Sequence, residues 1–249
     1  MALFPDVALV IQGPVKERHR IPFVDAMPYY KTLFDEIILS TYTEHLTDEL
    51  RDFCMENNII LVEQSVDIGD LEIEYHIMHQ TLSTLEGLKK VTKKYTLRHR
   101  SDERYSHLDK LINLFMQDDN KWVSSSCFVE HKSFYPYHAG DHLFICKTDK
   151  LLKCFELCKE KFTRKEMDRN YDGGPMPEVN FTKNFLRANL GVEPTNENHD
   201  QLMLENFDVL NDIHLYPFII SFNSIKQIFT EIHHLKPAQM RIHSIRDIL

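Results

Sequence analysis

Tyr95-Thr-Leu-Arg-His-Arg-Ser-Asp-Glu-Arg104 begins as a β-strand and ends on acidic residues flanked by arginines. A strand that delivers a carboxylate to its C-terminal end, beside fixed cations, suits a divalent metal and a diphosphate. Magnesium and manganese take oxygen ligands, commonly one or two carboxylates with phosphate oxygens and water. Arginine forks match phosphate geometry and stay charged at any working pH. The same residues would also serve as a strand and a solvated charged turn, so the surrounding sequence decides.

Upstream, Val7-Ala-Leu-Val-Ile11 is a continuous apolar run, the mark of a strand buried on both faces of a parallel sheet, and Gln12-Gly-Pro14 breaks it. A helix around Phe23–Phe34 leads to a second strand, Glu36–Ser40, which ends on Ser40 and Thr41. Helical periodicity over Glu44–Asn57, a third strand at Ile59–Val62, a helix over Leu71–Lys94 and the fourth strand Tyr95–Arg98 follow. Strands separated by helix-length segments imply right-handed βαβ crossovers and a mostly parallel sheet, whose ligands sit beyond the strands' carboxyl ends. Gln12-Gly13-Pro14, Ser40-Thr41 and Arg100-Ser101-Asp102 all fall at those ends.

The second half is less regular. Trp122–Val129 and His142–Cys146 have strand character, joined by the aromatic segment Phe134-Tyr-Pro-Tyr137, which suits either core or a sugar platform. Asp149–Lys161 reads as a helix and Pro194–Asp200 as a loop. Arg164–Pro177, with Asp172-Gly-Gly-Pro175, has the composition of a loop that orders over a bound ligand, and Glu178 opens a helix through Leu190.

The 249 residues are 43% hydrophobic and 27% charged, which is globular composition, and no linker or repeat divides them. A single α/β domain is expected. The net charge of −9 argues against a nucleic-acid enzyme. No secretory n-region and no run of ~20 apolar residues is present, so neither export nor a membrane span is expected. Cys54, Cys127, Cys146, Cys154 and Cys158 form an odd set without Cys-x-x-Cys spacing, as in a reduced cytoplasmic protein. Cys154 and Cys158 share a helix face and suit core packing.

No Gly-rich dinucleotide fingerprint or Gly-x-x-x-x-Gly-Lys-Ser/Thr loop occurs, which argues against Rossmann oxidoreductases and P-loop enzymes. Gly13 would let backbone approach a planar ligand closely. His76 and His79 lie three apart on a helix, but they and His233-His234 lack further ligands at metal-binding spacing. His79 and Gln80 suit the wall of a polar pocket. Glu178, at a helix start beside a Gly-rich loop, is the first candidate for a general base, and Asp141, after Ala139-Gly140, is the second. A rival constellation, Asp119 with Glu130 and Lys132, matches the loose Asp…Glu-x-Lys pattern of magnesium-dependent nucleases.

Val10-Ile-Gln-Gly-Pro14, Asp35-Glu-Ile-Ile-Leu-Ser-Thr41, the helix with His79-Gln80, Ser83-Thr84 and Gly87, and Leu97-x-x-Arg-Ser-Asp102 occur in order. Gly140-Asp-His-Leu-Phe144 and Pro177-Glu178 continue the series. Over roughly residues 7–190 the chain resembles the WavE-like lipopolysaccharide-synthesis family of glycosyltransferases. The resemblance implies a GT-A-like fold, with residues 1–105 as the nucleotide-sugar-binding half and 106–249 as the acceptor side. It implies an inverting hexosyl- or pentosyltransferase of surface-glycan synthesis that uses Mn2+ or Mg2+, a nucleotide-diphosphate sugar and a glycan acceptor. Gln12, Gly13 and Pro14 would lie near the base or ribose, with Ser40, Thr41, His79 and Gln80 close by. Arg100 and Ser101 would meet the diphosphate, Asp102 would hold the metal, and Glu178 would take the acceptor proton. Residue 104 is Arg where a second metal-binding Asp is usual, so Asp102 would act with Glu103 pointing away. Without a metal, Arg98 and Arg100 would carry the leaving-group charge. A sugar-nucleotide-binding module without turnover has the same residues.

Overall fold

The computed structural model describes residues 2–15, 17–65, 77–125, 135–169, 176–210 and 218–219. His76, Cys127, Glu130, Lys132, Phe134, Asp172–Pro175 and His233-His234 lie outside them. Strands β1 (Val7–Gln12), β2 (Glu36–Tyr42), β3 (Ile60–Gln64) and β4 (Tyr95–Arg100) are mutually parallel. They alternate with helices α1 (Glu17–Leu33), α2 (Asp48–Glu56) and α3 (Ile77–Leu88). The chain continues through β5 (Glu103–Arg104), α4 (Leu108–Phe115), β6 (Trp122–Ser125) and β7 (Leu143–Lys147). Helices α5 (Thr148–Thr163), α6 (Pro177–Leu190) and α7 (His199–Asn206) and strands β8 (Phe207–Leu210) and β9 (Phe218–Ile219) complete it.

Seven strands form one sheet in the order β3-β2-β1-β4-β7-β6-β8, and β5 pairs with β9 in a separate ribbon. Strand β7 is antiparallel to both its neighbours, β4 and β6, while β6 and β8 are parallel. The expected mostly parallel α/β sheet is therefore present, with one reversed strand near its middle.

The continuous apolar run of β1 has a direct cause. Val7, Leu9 and Ile11 join the core shared with α1 and α4, and Ala8 and Val10 join the core on the opposite face. Helix α3 lies close to that second face at Gly87. A Cβ there would come within 2.9 Å of Val10 Cγ1 and 3.2 Å of Ser40 Cβ, so glycine sets the helix-to-sheet distance. A second large core surrounds Trp122, Phe144, Phe155 and Phe185, between β6, β7, α5 and α6. Cys154 and Cys158 are buried in it, and burial holds the Cys154 thiol well above its usual range.

Several boundaries differ from those read in the sequence. The expected Glu44–Asn57 helix splits into a 3-10 turn, Thr43–His45, and α2, because Thr47 caps a new start by accepting a hydrogen bond from Leu50 N at 3.2 Å. Strand β4 runs two residues further, to Arg100. Strand β6 is described only as far as Ser125. Helix α7 begins at His199, inside the expected Pro194–Asp200 loop. Tyr137 is core: it is buried, and its hydroxyl donates to Thr195 O at 2.6 Å. No helix among the described residues is long and apolar enough to cross a membrane.

Candidate active site

A cleft of about 500 Å³ opens at the carboxyl edge of β1, β2 and β4. Gln12, Gly13, Pro14, His79, Gln80, Arg100, Ser101 and Asp102 line it together, joined by Tyr42, Glu44 and His45, which the sequence did not single out. Its floor is tied down by backbone. Gly13 N donates to Ser40 O at 3.0 Å and Ser101 N donates to Gln12 O at 2.7 Å. Ser101 Oγ donates to Pro14 O at 2.9 Å. Gly13 has φ +111°, which side chains rarely adopt, and a Cβ would lie 3.1 Å from Ser101 Oγ. The strand-breaking glycine is needed both for its backbone and for the space above it.

Ser40 and Thr41 are placed differently from expectation. Both are fully buried, and among the described residues they are not part of the cleft lining. Ser40 Oγ accepts a 2.7 Å hydrogen bond from Gln64 Nε2 and packs under Gly87, because its side chain faces α3. Tyr42, two residues on, reaches the cleft instead. It donates to the His79 carbonyl and packs edge-on against the imidazole, 5.1 Å between ring centres.

Arg100 and Asp102 form a two-pronged ion pair, Nε to Oδ1 at 2.9 Å and Nη2 to Oδ2 at 2.8 Å. Both oxygens of the expected metal ligand are therefore engaged by the neighbouring arginine. Carboxylates at Glu103 and Asp102 outweigh the effect of burial and hold Arg100 firmly charged. Arg98 is not available to a ligand in the cleft. It is fully buried, with Nη1 donating to the Asp141 carbonyl and the guanidinium 5.3 Å from the Phe144 ring. Burial lowers its pKa to about 10, so it remains a cation at neutral pH.

The reversed direction of β7 brings in the second half of the site. Its register pairs His99 with Leu143, so one step further Arg100 faces His142, and Asp141 follows at the same edge. The Ala139–Asp141 approach is anchored on two sides, by Ser124 Oγ donating to Ala139 O at 2.5 Å and by Ala139 N donating to Thr182 Oγ1 at 3.2 Å. Helix α6 starts with Pro177 in its first turn, which suits the helix start, and so presents Glu178 here. Donor atoms of Asp141, His142 and Glu178 all lie within 4.8 Å of one another. Gln80 donates to Asp141 Oδ2 and joins this trio to the cleft.

Asp141 Oδ1 and Glu178 Oε2 are sealed from water and have no hydrogen-bond partner among the described residues. Burial raises the Asp141 pKa, but the charges of His142, Arg98 and Arg100 outweigh it and keep the carboxylate ionised. Burial, and then the Asp141 charge, push Glu178 well above the usual carboxyl range. Two carboxyls this close do not both ionise without a further cation. Both sequence candidates for the base thus meet in one place, joined by His142, which the sequence placed at a strand start and in the Gly140–Phe144 motif but not among the site residues.

Asp119 lies at the other edge of the sheet. Tyr95 OH donates to it at 2.6 Å and Lys147 reaches it at 3.0 Å. The other two members of the nuclease constellation, Glu130 and Lys132, fall outside the described residues.

No protein-family model matches the chain, and no curated protein matches it in sequence. Solved structures do match in fold. Glucosyl-3-phosphoglycerate synthase from Mycobacterium tuberculosis, in complex with Mn2+, UDP-glucose and glycerol 3-phosphate, is 12% identical with a TM-score of 0.51, covering 95% of this chain and 79% of that one. The same enzyme with Mn2+, UDP and glucosyl-3-phosphoglycerate gives 12% and 0.50, covering 95% and 78%. A cytidylyltransferase from Leptospira borgpetersenii aligns at 13% identity and a TM-score of 0.46, over 85% of this chain and 78% of that one. The fold is GT-A-like. At this identity the likeness extends to the fold alone.

Proposed function

We propose that this chain is an inverting glycosyltransferase that moves a sugar from a nucleotide-diphosphate sugar to a glycan hydroxyl. Within that reading it is a single-domain, cytoplasmic enzyme of surface-polysaccharide synthesis, of the WavE-like kind. The observation that carries the reading is the pair of unpartnered oxygens on Asp141 and Glu178, beside a cleft whose rim holds Arg100 and whose floor is bare backbone at Gly13. The described cysteines are unpaired and buried, which suits a reducing compartment.

A divalent cation fits the donor set. Hard carboxylate oxygens with one imidazole suit Mn2+ or Mg2+, and the unpartnered oxygens lack the positive charge that such an ion provides. Asp141 and His142 would hold it, with Glu178 alongside. Asp102 would join only by releasing Arg100. When bound, the ion would supply charge against the leaving diphosphate.

The chain's own residues do the rest. Gln12, Gly13 and Pro14 accept the flat part of the nucleotide against backbone, and Arg100 and Ser101 face its phosphates. His79 and Gln80 form the opposite wall. Glu178 in its ionised form takes the proton of the acceptor hydroxyl, whose oxygen bonds to the anomeric carbon as the nucleoside diphosphate leaves. A carboxyl whose pKa is raised is a stronger base than an ordinary exposed one and suits that task.

Calorimetry and product analysis of the purified protein with Mn2+ and a panel of nucleotide sugars test this. At least one donor should bind and be slowly hydrolysed. Binding of none would overturn the reading, and binding with no turnover towards water or glycans would leave a sugar-nucleotide-binding module.

A further inference from the structure

Asp102 and Glu103 are consecutive acids with opposite fates. Asp102 lies in the turn between β4 and β5 and faces the cleft and Arg100, while Glu103, the first residue of β5, has its side chain wholly buried. A buried carboxylate needs partners, and Glu103 has them. His142 Nδ1 bonds to Oε1, and Tyr105 OH donates to Oε2 at 2.7 Å. Tyr105 is held in turn through its backbone N, which donates to Tyr30 OH on α1 at 3.0 Å. The Glu103 backbone is fixed by pairing with Ile219 in β9.

We infer that Glu103 is a positioning residue that sets the ring orientation and tautomer of His142 for a divalent cation, an inference that rests on the cation reading above. A carboxylate only accepts, so in the neutral ring that binding a cation requires, the bond to Oε1 keeps the His142 proton on Nδ1. The lone pair of Nε2 is then directed to the side of Asp141 Oδ1, 3.7 Å away. Partners of this kind also raise the basicity of a metal-binding imidazole, and their loss costs roughly 10–100-fold in metal affinity. The longer approach of Arg100 Nε to Glu103 Oε1, 3.6 Å, is secondary because Asp102 already holds that guanidinium. Glu103, the acid next to Asp102 in the chain, therefore acts one step behind the metal, through histidine.

The test uses the full chain and Mn2+ as the probe. Electron paramagnetic resonance of unbound Mn2+ gives the affinity, and pulsed measurements give the coupling of bound Mn2+ to imidazole nitrogen. Glu103→Gln should weaken Mn2+ binding about 10–100-fold and diminish the nitrogen coupling. In a His142→Ala background the same change should have no further effect, since it acts only through that ring. An equal loss with and without His142, or unchanged affinity in Glu103→Gln, would overturn the role. Should Glu103→Gln not fold, Tyr105→Phe carries the test. Weaker Mn2+ binding that disappears in the His142→Ala background supports the inference, and unchanged binding overturns it. Wild-type protein that takes up no Mn2+, alone or with UDP, overturns the cation reading itself, an outcome seen before any variant is compared.

Discussion

The two edges of the sheet each place an acid among cations, and they solve the problem in opposite ways. At the amino edge, Asp119 is partly exposed and receives the Tyr95 hydroxyl together with Lys94 and Lys147. These partners hold its pKa at about 2. At the carboxyl edge, Asp141 is buried, and one of its oxygens and one of Glu178 are sealed off without a hydrogen-bond partner among the described residues. A satisfied surface cluster contributes a little stability and asks for nothing more. An unsatisfied buried one costs stability unless a ligand completes it. The difference separates a structural ion cluster from a binding site where residue types alone do not.

The largest expected effect is on Glu178. Glu178→Gln should lower sugar transfer by about 10²–10⁴-fold, the usual contribution of a general base, with Mn2+ affinity retained. Steady-state rates and Mn2+ titration together read this out. Retained transfer would remove Glu178 as base, and loss of Mn2+ binding would make it a third ligand.

Next in size is ligand-linked stability. Mn2+ at 100 times its Kd should stabilise the protein by about 2.7 kcal/mol, read as a rise in Tm. The rise should vanish in Asp141→Asn and persist in Asp119→Asn. If both variants keep it, the ion binds elsewhere and the contrast between the edges fails.

Gly13→Ala probes the backbone of the carboxyl edge. The left-handed conformation and the 3.1 Å approach to Ser101 Oγ should together cost about 1–3 kcal/mol, measured by denaturant unfolding. An unchanged midpoint would mean that the floor of the cleft adapts freely.

The smallest effect belongs to Asp119. Its folded pKa lies below the ordinary value of 3.8, so its contribution is fully present above that value and fades as pH falls towards about 2. Solvent screening limits it to about 0.5–1 kcal/mol. Asp119→Asn should remove that part of the acid-limb loss of stability and leave donor binding unchanged. Loss of donor binding would instead link the two edges.

The legible part of the molecule is its first half. The continuous apolar run Val7–Ile11 and the shorter one Ile37–Leu39 mark strands covered on both faces, and the residues that follow them fall at the carboxyl edge by geometry. Gln12, Gly13, Pro14, Arg100, Ser101 and Asp102 could therefore be placed in one cleft before any coordinates. Which side chains turn away was less legible. Ser40 and Thr41 sit at the right strand end, but alternation and the close approach of Gly87 bury Ser40 under α3. The two-pronged bond of Arg100 to Asp102 likewise has no signature in composition or spacing.

Local pattern by itself determined the βαβ order, the parallel first sheet half and the edge at which polar residues gather, because periodicity and strand-breaking residues act over a few positions. The tertiary structure alone decided that β7 runs backwards between β4 and β6. Direction of pairing is set by long-range packing, and an apolar strand reads the same either way. That reversal brings Asp141 and His142 to the edge that holds Arg100, lets α6 deliver Glu178 beside them, and turns two separate stretches of sequence into one cluster.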